Sequence, residues 1–89
     1  MQVIESQVDT RSGEFAARTA HHAALTAELR DQLAKVRQGG SERARQRHRD
    51  RGGLLARERI DVLIDPGSPF LELSPMAAHE LYAGAAPSA

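Results

Sequence analysis

Three breaks set the length of every element this chain can form: Gly39-Gly40, Gly52-Gly53 and Asp65-Pro66-Gly67. Glycine accepts the left-handed conformation that helix C-termini commonly need, and proline disfavours helix in the residue before it. Helices must therefore fit between these points. From about Glu14 to Gln38, Leu25, Leu29, Leu33 and Val36 recur at spacings of four, four and three, one stripe of an amphipathic helix. Alanine fills many of the other positions and favours helix. Ser41 is placed to cap a second helix over Glu42 to Asp50, its hydroxyl accepting an orphan backbone N–H. That helix is polar on every face, so it either bridges solvent or is held by ionic contacts. A third helix, about Ala56 to Ile64, carries Leu55, Ile60, Leu63 and Ile64 on its apolar side. On it Arg57 comes within i, i+4 reach of Asp61, whereas Glu58 can meet a basic group only through another element.

"SPFLELSP", Ser68 to Pro75, has strand length and flanking prolines, which predicts a short edge strand. Met76 to Gly84 reads as one or two helical turns. Residues 1–13 are polar apart from Val3, Ile4 and Val8, and are expected to form a flexible arm. The expected fold class is thus mainly α, two to three helices plus a short strand. The closing "AGAAPSA" has no cap, charge or terminal element and reads as a cut in a longer chain.

Composition explains why such a chain would lean on something larger. Among 89 residues only Phe15, Phe70 and Tyr82 are aromatic, and much of the apolar fraction is alanine. Small domains bury a poor share of their surface, and without cysteine there is no disulfide or thiolate metal site to reinforce this one. Twelve basic and twelve acidic residues cancel. No apolar run approaches the roughly 20 residues of a membrane span. Glu5, Asp9 and Glu14 interrupt the N-terminus before a signal-peptide core could form, so a cytoplasmic location is expected.

Groups that could carry chemistry are few. His21 and His22 are adjacent and point about 100° apart on a helix, unlike a chelating i, i+4 pair. Ser68 and Ser74 have no histidine at motif spacing, and no Gly-rich phosphate loop is present. No catalytic residue is assigned. The local charge excess lies between Ser41 and Arg59, where seven arginines face Glu42, Asp50 and Glu58. Alternating Arg43, Arg45, Arg47, Arg49 and Arg51 are expected to spread charge around the helix, whereas a groove-reading helix concentrates it. Nucleic acid is disfavoured on that ground and for want of interleaved aromatics. An ion-paired or solvated face, phosphates of a small ligand, and acids of a partner subunit stay open.

From Arg47 to Tyr82 the sequence runs "RHRDRGGLLARERIDVLIDPGSPFLELSPMAAHELY". It resembles the N-terminal lead of carboxyltransferase β subunits of biotin-dependent acyl-CoA carboxylases. Arg51, Gly52, Leu54, Arg57, Glu58, Arg59, Ile60, Asp61, Asp65, Pro66, Gly67 and Ser68 match that pattern in order. The resemblance extends over roughly Leu25 to Gly84. The "DPGSPFLELS" segment followed by "LY" looks most like the 3-methylcrotonyl-CoA carboxylase branch. Gly53 departs from a usual lysine and Ala56 from a common proline.

The resemblance implies that residues 14–89 are the helical lead of a carboxyltransferase N-domain of α/β crotonase-like fold, interrupted at Ala89, with the catalytic groups beyond it. For the full enzyme it implies carboxybiotin, carried on the α subunit, and acyl-CoA, neither bound by this segment alone. Implied partners are the rest of the subunit, other β subunits and the biotin-carrying α subunit, with no membrane. Arg51, Arg57 and Arg59 are the candidates for contacts to CoA phosphates or to a neighbouring subunit. The rival reading is a free-standing arginine-rich helical module that binds acidic protein or nucleic acid.

Overall fold

The computed structural model describes residues 1–86, and in it the glycine and proline breaks fall where the sequence puts them. Helix α1 spans Gly13–Gln38, α2 Glu42–Asp50 and α3 Ala56–Leu63, followed by a 3₁₀ turn at Leu81–Gly84. The chain divides into two units, one from Met1 to Arg30 and one from Asp31 on, and α1 contributes to both. In the first unit a turn at Asp9 leads into α1. The Ser12 hydroxyl accepts the Phe15 N–H at 3.1 Å, which caps the helix start. Leu25 and Leu29 of the predicted stripe stay about half exposed, and Glu14 pairs with Arg18 one turn on.

The second unit holds the only buried hydrophobic residue among those described, Val36, at 7% exposure. Gly39 and Gly40 both take positive φ, 76° and 89°, and the Gly39 N–H returns to the Val36 carbonyl at 3.0 Å. Ser41 then caps α2 by accepting the Ala44 N–H at 3.3 Å. Gly52 (φ 79°) closes α2, its N–H donating to the Arg49 carbonyl at 2.8 Å. α3 starts without a side-chain oxygen at its N-cap, Leu55. Glu58 instead reaches back and accepts the Leu55 N–H at 2.8 Å, one half of a capping box. The turn after α3 closes with the Ser68 N–H on the Asp65 carbonyl.

Two expectations fail here. The strand over Ser68 to Pro75 does not form, and no strand is present among the described residues. A strand is stabilised by a neighbouring ladder. Pro69 and Pro75 have no N–H to give one, and no partner strand lies alongside. The apolar side predicted for α3 is only partly covered. Leu55, Ile60 and Ile64 are half-buried, but Leu63 is 84% exposed and Leu71 of the next segment 81%. The tail from Met76 is built of successive i to i+3 turns rather than α-helix, with Ala78, Glu80, Tyr82 and Ala83 in the left-handed region. No helix among the described residues is long and apolar enough to cross a membrane. The last part of the expected cut, Pro87 to Ala89, lies outside the described residues.

Candidate functional site: the arginine junction of α2 and α3

At about 100° per residue, positions two apart differ by about 200°, so alternating arginines fall into two rows. Arg43, Arg47 and Arg51 share an arc of about 80°, and Arg45 and Arg49 lie opposite. The charge spread expected around the helix thus takes the form of two opposite rows, and the side chains follow the split. Arg45 is the one half-buried residue of α2 and pairs with Glu42, although its Nε is buried without an acceptor. Arg49 donates to Glu58 of α3 at 2.7 Å. The other row, Arg43, Arg47 and Arg51, is exposed and has no ion pair or hydrogen bond among the described residues. The polar helix is therefore held ionically on one side and open on the other.

Glu58 organises this junction. Its carboxylate accepts the Leu55 N–H through one oxygen and the Arg49 guanidinium through the other. The Leu55 bond first, and then Arg49, hold its carboxyl below the usual glutamate range. The same hydrogen bond raises the Arg49 guanidinium in turn. His48 adds a second tie. Its Nε2 lies 2.8 Å from the Leu54 carbonyl, and the ring covers Gly53. A Cβ at Gly53 would sit 2.6 Å from that Nε2, closer than such contacts allow. The His48 ring therefore depends on bare backbone at Gly53.

Arg57 does not depend on the i, i+4 neighbour the sequence offered. Its Nε and Nη2 grip the two oxygens of Glu72, the former at 3.2 Å, while Nη1 donates to the Val36 carbonyl at 3.0 Å. One guanidinium thus fastens the end of α1 and the segment after α3 to α3 itself. An apolar groove of about 470 Å³ lies beside it, lined by Leu33, Ile60, Phe70, Leu71 and Pro75 among others. A smaller cavity, about 270 Å³, is lined by Arg37, Arg45, Arg49, Arg57 and Glu58. Of the three candidate residues, Arg57 is engaged internally, while Arg51 and Arg59 are exposed, with no partner among the described residues. The structure does not bring the three onto one target. Sequence reasoning missed His48 and Glu72. A glycine five residues after a histidine was the available signal for the first. Nothing local signals the second.

Fold and geometry define a class first: a helical segment tied by ion pairs, with more apolar surface open than covered. The comparisons then give the family. The chain is 50% identical over 80 residues to a probable mitochondrial methylcrotonoyl-CoA carboxylase beta chain of Drosophila melanogaster, covering 90% of this chain and 14% of the relative. It is 57% identical over 68 residues to a biotin-dependent 3-methylcrotonyl-coenzyme A carboxylase beta1 subunit of Mycobacterium tuberculosis, covering 76% of this chain and 13% of the relative. The mitochondrial methylcrotonoyl-CoA carboxylase beta chain of Arabidopsis thaliana is 46% identical over 86 residues, 97% of this chain and 15% of the relative. No protein-family model and no solved structure matches. The chain belongs to the beta-subunit family of biotin-dependent acyl-CoA carboxylases, of which it spans about one-seventh of the relatives' length.

Proposed function

We propose that this segment is the N-terminal lead of a carboxyltransferase subunit that moves the carboxyl group of carboxybiotin to an acyl-CoA, 3-methylcrotonyl-CoA first among candidates. The observation that carries the reading is the 57% identity over 68 residues to a subunit named for that carboxylase. Residues 14–89 form the lead and 1–13 an arm. The segment itself packs and assembles rather than reacts. The open apolar side of Leu63, Phe70, Leu71 and Leu73 supports this, since it needs a body to cover it; a crotonase-like domain of the same subunit is that body. In the whole enzyme, backbone N–H donors elsewhere in the subunit stabilise the enolate of the acyl-CoA. The partners are the remainder of the subunit, further beta subunits and the biotin-carrying alpha subunit. Arg51 and Arg59 are the residues free to meet CoA phosphates or a neighbouring subunit. The location is proposed as cytoplasmic. Three relatives carry "mitochondrial" in their names, so imaging of the tagged full-length protein decides between the two.

The test has two stages. Intact mass of the denatured polypeptide from its source comes first, and a value several times 9.7 kDa is expected. Carboxyl transfer from carboxybiotin is then measured with 3-methylcrotonyl-CoA and with propionyl-CoA. Transfer to neither substrate by the complete polypeptide with its alpha subunit would defeat the reading.

A further inference from the structure

Arg51, left above to CoA phosphates or a neighbouring subunit, belongs with Arg43 and Arg47 to one outward row, and the row as a whole decides between those targets. Arg43 and Arg47 on α2 and Arg51 at its C-cap stand four residues apart, so at 1.5 Å per residue they repeat about every 6 Å over about 12 Å. All three are exposed and unpaired among the described residues. Of the acids of α2, Glu42 pairs with Arg45, while Asp50 accepts from the neutral Gln46 at 2.8 Å and is one acid flanking a row of three arginines. The helix cannot roll freely, because Arg49–Glu58 and His48–Leu54 fix it to α3.

We propose that this row is a docking face for an acidic helix of a partner polypeptide, presenting carboxylates at i, i+4 and i+8. A facing helix with that spacing has the same repeat of about 6 Å, so each guanidinium fork meets one carboxylate. The shape argues against the other anions. A compact polyphosphate is held by donors converging in a cleft, whereas this row is on an open helix face and lines neither cavity described above. Single-stranded nucleic acid needs aromatic platforms beside the charges, and Phe15, Phe70 and Tyr82 lie outside α2. The inference goes beyond the carboxyl-transfer reading and fails separately from it, since the assay below does not involve the acyl-CoA.

The full-length polypeptide that carries this segment is titrated with a fluorescein-labelled helical peptide carrying glutamates at four-residue spacing on one face, and anisotropy is read. Replacing the row (R43Q/R47Q/R51Q) is expected to weaken binding about tenfold, equivalent to about 1.4 kcal/mol. Removing the same charge from α1 (R30Q/K35Q/R37Q) is expected to change it less than twofold. A peptide with the same glutamates scattered around its helix is expected to bind several-fold more weakly. Equal weakening by the α1 variant, equal binding of the scattered peptide, or tighter binding of polyuridylate overturns the proposal. Because Arg→Gln changes could also loosen α2, the charge-swapped chain R43E/R47E/R51E is paired with a peptide bearing lysines in place of the glutamates. That pair must recover binding, and its failure also overturns the proposal.

Discussion

Arg57 is the residue whose removal tests the architecture of the second unit most directly. Its guanidinium makes two contacts to Glu72 and one to the Val36 carbonyl. The Arg57 and Glu72 side chains remain 24% and 32% exposed, which sets the magnitude. Fully exposed ion pairs contribute about 0.2–1 kcal/mol, and well-buried hydrogen bonds to charged groups about 1.5–3 kcal/mol. A forked pair at a quarter to a third exposure falls between them, so the coupling is about 1–2 kcal/mol. Arg57→Ala loses the Val36 bond as well, and about 2–3 kcal/mol is expected for it alone by the same reasoning. The assay is a double-mutant cycle of R57A, E72A and both in the full-length polypeptide, read as the opening free energy of the α3 amides by native-state hydrogen exchange. The cycle cancels whatever else each side chain touches. R57K should keep less than half of the coupling, because an ammonium cannot present a planar fork. A coupling below about 0.3 kcal/mol would place the pair with ordinary solvated ion pairs and remove the argument that Arg57 fastens three segments together.

The α2–α3 junction gives the remaining predictions. Glu58 is held below the ordinary glutamate value of 4.5 by the Leu55 N–H and Arg49. A depressed acid contributes stability that is complete above its unfolded pKa and is lost as pH falls through the folded one. The junction should therefore be intact at neutral pH and loosen only below about pH 4.5. The carboxyl carbon-13 shift of Glu58 reads this directly, and an inflection at or above the ordinary value refutes it. Gly53→Ala should drive the His48 ring off the Leu54 carbonyl and cost about 1 kcal/mol, but much less when His48→Ala is already present. Unfolding of the single and double variants compares the two. Ser41→Ala should cost about 0.5–1 kcal/mol, the low end for an N-cap because the bond is long. Faster amide exchange at Ala44 is the observable.

Helix limits were legible because they are local. Ser41, the glycine pairs and Asp65-Pro66-Gly67 act within a few residues of themselves, and α2 and α3 fall within one residue of the expected spans. The spread of arginines around α2 was legible too, since position along a helix fixes angle around it, and two steps of about 100° set alternating residues on opposite sides. What could not be read locally is what distance decides. The partner of Arg57 lies fifteen residues away in sequence, and i, i+4 reasoning sees only Asp61. The strand over Ser68 to Pro75 failed for a related reason, because strand length and flanking prolines say where an edge strand would lie but not whether a neighbour exists to pair with it.

The tail after Pro75 carries that dependence furthest. Between Ser74 and Ala83, Ser74, Ala78, Glu80, Tyr82 and Ala83 hold positive φ without being glycine. Each such residue costs about 1–2 kcal/mol, so the five together cost on the order of 5–10 kcal/mol, comparable with the entire stability of a small domain. Such strain persists where tight surroundings impose it. Here the neighbours are open instead, with Tyr82 81% and Leu73 81% exposed. Among the described residues Val36 alone is a buried hydrophobic side chain, too little to offset that cost internally. Ion pairs hold α2 to α3, but the apolar side of α3 is only partly covered and the tail stays open. The two parts thus divide the work. The junction of Arg49, Arg57, Glu58 and Glu72 keeps the segment's shape, and the uncovered leucines and strained turns are the surfaces that the proposed reading assigns to a larger body.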